Sequence, residues 1–204
     1  PLTHYNQIIA NIREAYRYGF LAAYGDGTKC FATFAPDAWA VTRMMWNPER
    51  DASGLMDEYF RSAYGPAAEE MRAYFETYST ALDENWAKRK RVVDTSLIAY
   101  ANLIGSWRTF YPASVVEKAE THLRAAERKA PPGEYADRVA FHRFGQNYTA
   151  MMIELLDGYR QLTELGTKLG FMGIDKEQIR SDPAERDRLL KRVYELGEKR
   201  EDRK

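Results

Sequence analysis

The sequence predicts a mainly α-helical chain, built as a bundle of helices and hairpins with one short strand. Apolar residues recur at intervals of three and four through most of the 204 residues, the spacing of one helix face. Start and stop residues bracket these runs: Pro36, Asp51, Pro66 and Pro183 at starts, Gly19, Asn47-Pro48 and Pro131-Pro132-Gly133 at stops. One apolar run, Phe20 to Tyr24, is too short for a helix and lies between Gly19 and Gly25-Asp26-Gly27, as a buried strand does.

In chain order, Thr3 can cap a first helix over residues 4–18, with Ile8, Ile9, Ile12, Ala15 and Tyr16 at helical spacing and Gly19 as its stop. The strand at Phe20–Tyr24 has no evident partner. Its backbone donors and acceptors imply pairing with sequence outside this chain. Pro36 suits a first helical position, and the helix it opens runs through Trp46 to Asn47-Pro48. Asp51 or Ser53 caps the next helix, whose apolar face is Leu55, Met56, Tyr59, Phe60 and Ala63.

Tyr64-Gly65-Pro66 is a sharp corner into a long helix. Glu69 and Glu70 sit in its first turn, where the helix dipole favours them. Its stripe runs through Met71, Tyr74, Phe75, Tyr78, Leu82 and Trp86, and the basic run Lys88 to Arg91 suits its C-terminal end. Leu97, Tyr100, Ala101, Ile104 and Trp107 fit a further helical face. Another helix is expected over 113–130, facing inward through Val115, Val116, Ala119, Leu123 and Ala126. The longest runs from Glu134 to Leu165. Phe141, Phe144, Tyr148, Met151, Leu155 and Leu162 form a seam there, with the 113–130 helix folded back along it as a hairpin. Residues 166–182 read as a loop or short helical turn. A last helix over 183–199 leads into a charged tail.

Lys+Arg and Asp+Glu both number 30, which argues against a general nucleic-acid binder. No apolar run is long enough for a membrane span. The one cysteine, Cys30, excludes an intrachain disulfide. Cys30, His4, His122 and His142 are far apart in sequence, so no metal site is expected, and the two later histidines read as facing solvent or capping the hairpin. Gly25-Asp26-Gly27-Thr28-Lys29 lacks phosphate-loop spacing, so no cofactor is expected either.

The site-like segment is Tyr24 to Lys29. Asp26 can supply a carboxylate at a strand end, or only form the turn between two glycines. Tyr24 and Phe34 can stack on a sugar ring. Glycoside hydrolysis ordinarily takes two flanking carboxylates, and only one candidate is present.

Three stretches resemble the later part of a known family. They are Met45-Trp46-Asn47-Pro48-Glu49 with Leu55-Met56-Asp57-Glu58-Tyr59-Phe60, then Tyr64-Gly65-Pro66-Ala67-Ala68-Glu69-Glu70-Met71-Arg72, then Arg138-Val139-Ala140-Phe141 on to Tyr148-Thr149. The family is domain of unknown function 4838, large bacterial proteins similar to alpha-glucuronidases and beta-hexosaminidases, and the resemblance covers most of 1–168.

The resemblance implies that this chain is the C-terminal end of a (β/α)8 barrel plus a helical extension. Residues 1–47 would be the last barrel units, 48–111 the extension, and 112–204 a C-terminal hairpin and tail. The implied protein is glycoside-hydrolase-like and extracellular or periplasmic. Its partners would be the barrel domain of the parent protein and an oligosaccharide or polysaccharide, while the isolated chain would be non-catalytic. The opening at Pro1 without Met fits a processed or excised product. The alternative is a helical protein–protein interaction module, suggested by the long seam.

Overall fold

The computed structural model describes residues 3–20, 31–89, 110–164, 169–170, 173–174 and 183–201. The expected strand beyond Phe20, the helical face at 97–107, the side chains of Trp86 to Arg91 and Cys30 lie outside the described residues or side chains. The described elements are α1 (Tyr5–Arg17), α2 (Phe31–Trp46), α3 (Ala52–Tyr64), a 3-10 turn (Gly65–Ala67), α4 (Ala68–Arg89), α5 (Ala113–Lys129), α6 (Glu134–Glu164), β1 (Leu169–Gly170), β2 (Gly173–Ile174) and α7 (Pro183–Glu201). The fold is therefore mainly α. Two compact units divide it, Pro1–Glu84 with Ala113–Asn147, and Asn85–Pro112 with Tyr148–Lys204.

In the first unit α1 starts and stops for different reasons. Thr3 does not cap it. The N-cap is His4, whose side chain makes no cap bond. The Asp37 carboxylate reaches over from α2 and accepts from the His4 N–H and the Thr3 hydroxyl, both at 2.6 Å. A helix start leaves donors without intrahelical acceptors, and a buried carboxylate from a neighbouring helix satisfies one here. At the other end Gly19 has φ +82°. Phe20 N–H bonds Ala15 O at 3.1 Å and Gly19 N–H bonds Tyr16 O at 2.9 Å, the paired bonds of a Schellman cap. Phe20, expected to begin a strand, is the closing residue of that cap and is exposed.

Helices α1 and α2 run in the same direction. The start of α1 meets Asp37, while Arg13, near its end, donates to the carbonyls of Pro48 and Arg50, just past the end of α2. The chain thus leaves α1 at one end of the pair and enters α2 at the other, a separation on the order of 25 Å at the helical rise per residue.

Helix α2 begins at Phe31, not at Pro36. Pro36 lies inside it and has no N–H to give the carbonyl four residues back, that of Ala32. Helix α3 is capped by Asp51, whose carboxylate accepts from Ser53 N–H (3.2 Å) and Gly54 N–H (2.7 Å). It ends at the expected corner. There Gly65 has φ +50°, and the Tyr135 ring covers it so closely that a Cβ would lie 2.7 Å away.

Helix α4 is central to this unit. It buries Met71, Tyr74, Phe75, Tyr78 and Leu82, and also Thr77 and Ser79 on another flank. Tyr5, Phe60 and Phe75 form an edge-and-tilt aromatic run at 6.3 and 6.2 Å centroid spacing. Helices α5 and α6 fold back as the expected hairpin. Arg143 pairs with Glu120 and Glu127, and Gln146 bonds both Tyr78 (2.7 Å) and the Val116 carbonyl (3.3 Å).

The expected seam on α6 is only half right. Met151 and Leu155 are buried, but Phe141 and Phe144 are exposed, and Val139, His142 and Gln146 face inward in their place.

In the second unit, α7 supplies the apolar partner for the later part of α6. Leu189, Val193 and Leu196 pack with Met151 and Leu155. Gly158 permits a close approach, since a Cβ there would lie 2.8 Å from Val193. The 166–182 segment, expected as a loop or helical turn, contains an antiparallel pairing of Leu169 with Ile174 and Gly170 with Gly173.

Candidate functional site

The helix-breaking property of Pro36 creates the most unusual polar feature of the first unit. His142 on α6, 3% exposed, places Nδ1 2.9 Å from the Ala32 carbonyl, whose usual donor four residues on is missing at Pro36. A carbonyl can only accept, so Nδ1 carries the proton and Nε2 is the acceptor. Tyr64 lies 2.6 Å from Nε2 and must donate to it. Its oxygen then accepts from Tyr59, 3.0 Å away. One backbone carbonyl thereby fixes the proton direction along a buried chain: Tyr59 to Tyr64 to His142 to Ala32.

Gly145 makes this approach possible. A Cβ at that position would lie 2.7 Å from the Ala32 oxygen. Phe75 and Tyr64 stand edge-on to the imidazole at 5.1 and 5.5 Å. Burial of this neutral ring lowers the His142 pKa to about 4, against a smaller opposing effect from the Ala32 bond. Burial likewise pushes the Tyr59 hydroxyl up to about 12 and raises that of Tyr64.

A cleft of about 390 Å³ opens beside this chain, between α2, α3 and α6. Tyr59, Tyr64 and His142 contribute to its lining. Ala35 and Ala63 give it two small walls, and the half-exposed Phe141 gives it a ring. Asp137 and Arg138 complete it one helical turn before Phe141. Arg138 uses three of its five N–H donors within the fold, donating to the Ser62 and Ala63 carbonyls (3.4 and 3.2 Å) and to Glu134 (2.7 Å). A largely apolar cleft with a few polar groups and shifted titrating residues is the general form of a ligand site.

A second cleft, about 340 Å³, lies between α4 and α5 and is lined in part by Glu76, Thr77, Glu84, Lys118 and His122. Its Glu76 already accepts from Tyr5 at 3.3 Å and lies 4.0 Å from Arg72.

Of the residues expected to hold a sugar, Tyr24 and Asp26 lie outside the described residues. Phe34 sits partly buried on the first turns of α2. The three are therefore not brought together among the described residues. His142, expected at the surface or as a cap, is instead a core residue. The signal that could have found it was Pro36: a proline inside an apolar helical run implies an orphaned carbonyl, and a buried one needs a donor. Among the described residues no group of three or more His, Cys, Asp or Glu could hold a metal ion, and no helix is long and apolar enough to cross a membrane.

The model of a family described as a domain of unknown function, DUF4838, matches residues 1–77. That stretch holds α1 to α3, the Tyr64-Gly65-Pro66 corner and the first part of α4. The expected likeness over 138–149 lies beyond it. No curated protein and no solved structure matches the chain.

Proposed function

We propose that the chain is the helical C-terminal part of a carbohydrate-active, glycoside-hydrolase-like protein, acting outside the cytoplasm and non-catalytic by itself. The observation that supports this reading is the shared direction of α1 and α2, inside the stretch that the family model matches. Successive helices on the outside of a (β/α)8 barrel run parallel, each returned by a strand, whereas helices of a simple bundle alternate. Half-buried Phe34, Ala38 and Val41, with exposed Met45, recur along α2 at helical spacing. Such a stripe suits a sheet layer packed on it. On this reading Tyr24, Asp26 and Phe34 stand near the carbohydrate end of the barrel, and the partners are the barrel domain and an oligosaccharide or polysaccharide.

The test compares the product of the complete natural reading frame with the 204-residue chain, using glycan binding and a panel of chromogenic glycosides. Binding or turnover by the longer product alone is expected, with Asp26→Asn reducing it. A natural frame that begins near Pro1, or turnover by the isolated chain, would overturn the reading.

The alternative, a helical protein–protein interaction module, is favoured by Phe141 and Phe144, large apolar side chains exposed three residues apart on α6. Sedimentation separates the two: self-association or capture through α6, lost in a Phe141→Ser/Phe144→Ser variant, belongs to the module.

A further inference from the structure

The fixed proton direction of the His142 chain decides which polar groups remain available beside the α2–α3–α6 cleft. The Tyr59 proton is committed to Tyr64, the Tyr64 proton to His142, and the Nδ1 proton to Ala32. What the chain has left is lone pairs on the Tyr59 oxygen, a cleft residue. Arg138 spends three of its five N–H donors on Ser62, Ala63 and Glu134. The Asp137 carboxylate, which can only accept when ionised, makes no ion pair or hydrogen bond among the described residues. Acceptor positions left on the Asp137 carboxylate and the Tyr59 oxygen thus outnumber the two remaining N–H groups of Arg138, and the other lining, from Ala35, Ala63 and Phe141, is carbon.

We propose that this cleft is a binding site for a planar apolar ring that carries a hydrogen-bond donor, an indole-type N–H or a phenolic O–H. Its volume of about 390 Å³ lies within the ordinary range for small-ligand sites. The half-exposed Phe141 ring offers an edge or face for stacking. The inference is independent of the carbohydrate reading and survives its failure.

Indole and indene differ in the N–H and share the ring outline, so they are the probes. Titration of the whole chain, followed by amide shifts near Ala35, Ala63 and Phe141, is expected to saturate with indole about fivefold to tenfold tighter than indene, as one neutral hydrogen bond allows. Tyr59→Phe is expected to bring indole close to indene. Ala63→Leu, which fills the cleft from a partly exposed helix position, is expected to abolish both. Equal affinity for the two rings, no saturable binding, or binding that survives Ala63→Leu would each overturn the proposal. A Tyr59→Phe chain that fails to fold leaves the wild-type comparison and Ala63→Leu to decide.

Discussion

His142 takes over the hydrogen bond that Pro36 cannot make. The proline sits four residues after Ala32 in α2, and the imidazole Nδ1 of α6 stands 2.9 Å from the Ala32 oxygen. A proline inside a helix costs about 3 kcal/mol, partly through the orphaned carbonyl. Here the orphan becomes a tertiary contact that ties α2 to α6 and fixes the imidazole tautomer. That tautomer then orients Tyr64 and Tyr59.

Two buried tyrosines should respond oppositely to loss of their hydroxyls. Tyr64 donates to His142 Nε2, so Tyr64→Phe leaves a buried acceptor unpaired and should cost about 1–3 kcal/mol. The Tyr74 hydroxyl is equally buried but has no partner among the described residues. Tyr74→Phe should be neutral or stabilising by up to about 1 kcal/mol. Urea unfolding of both variants measures the contrast, and equal losses would mean that Tyr74 has a partner too.

Gly145→Ala should destabilise although alanine is the better helix former. The propensity gain is about 1 kcal/mol. The new Cβ, however, would lie 2.7 Å from the Ala32 oxygen and 3.0 Å from the Ala32 Cβ, so α2 must shift and the His142 bond lengthens. A net loss of about 1–3 kcal/mol is expected in thermal or urea unfolding. A gain would show that α2 and α6 have room to spare there.

Stability should fall as the pH drops from neutrality toward 4. His142 takes up its proton near pH 4 in the fold and near 6.5 when unfolded. Between those values the unfolded chain binds more protons, so the stability present above 6.5 is lost on acidification, by about 3 kcal/mol in all. Asp37 works the other way. Burial raises its carboxyl above 3.8, so its contribution declines as pH rises through the shifted value. Comparing the pH profile of the wild type with that of His142→Phe isolates the histidine. The acid-side loss should shrink in the variant, and an unchanged slope would count against a buried neutral His142.

Much of the helix layout was legible because its punctuation is local. Gly19, Asp51, the Tyr64-Gly65-Pro66 corner and Pro131-Pro132-Gly133 act through φ angles and backbone donors within a few residues, and the structure uses each as expected. Tertiary substitutions for local rules were not legible. Pro36 reads as a helix start because its N–H is missing, yet His142 repairs the carbonyl and lets the helix begin at Phe31. Thr3 reads as a cap, but Asp37 does that work from 33 residues away. The seam on α6 followed the largest apolar residues and so chose Phe141 and Phe144. The inward face instead carries His142 and Gln146, which are polar and satisfied. The small α2–α3–α6 cleft depends on Ala35 and Ala63 being small, which no periodicity reveals.

The most direct test of the link between Pro36 and His142 is a double-mutant cycle in urea unfolding with Pro36→Ala and His142→Phe. The Pro36→Ala substitution restores an N–H for the Ala32 carbonyl, so losing the imidazole should cost about 1 kcal/mol less in that background than in the wild type. Additivity of the two substitutions to within about 0.3 kcal/mol would contradict it.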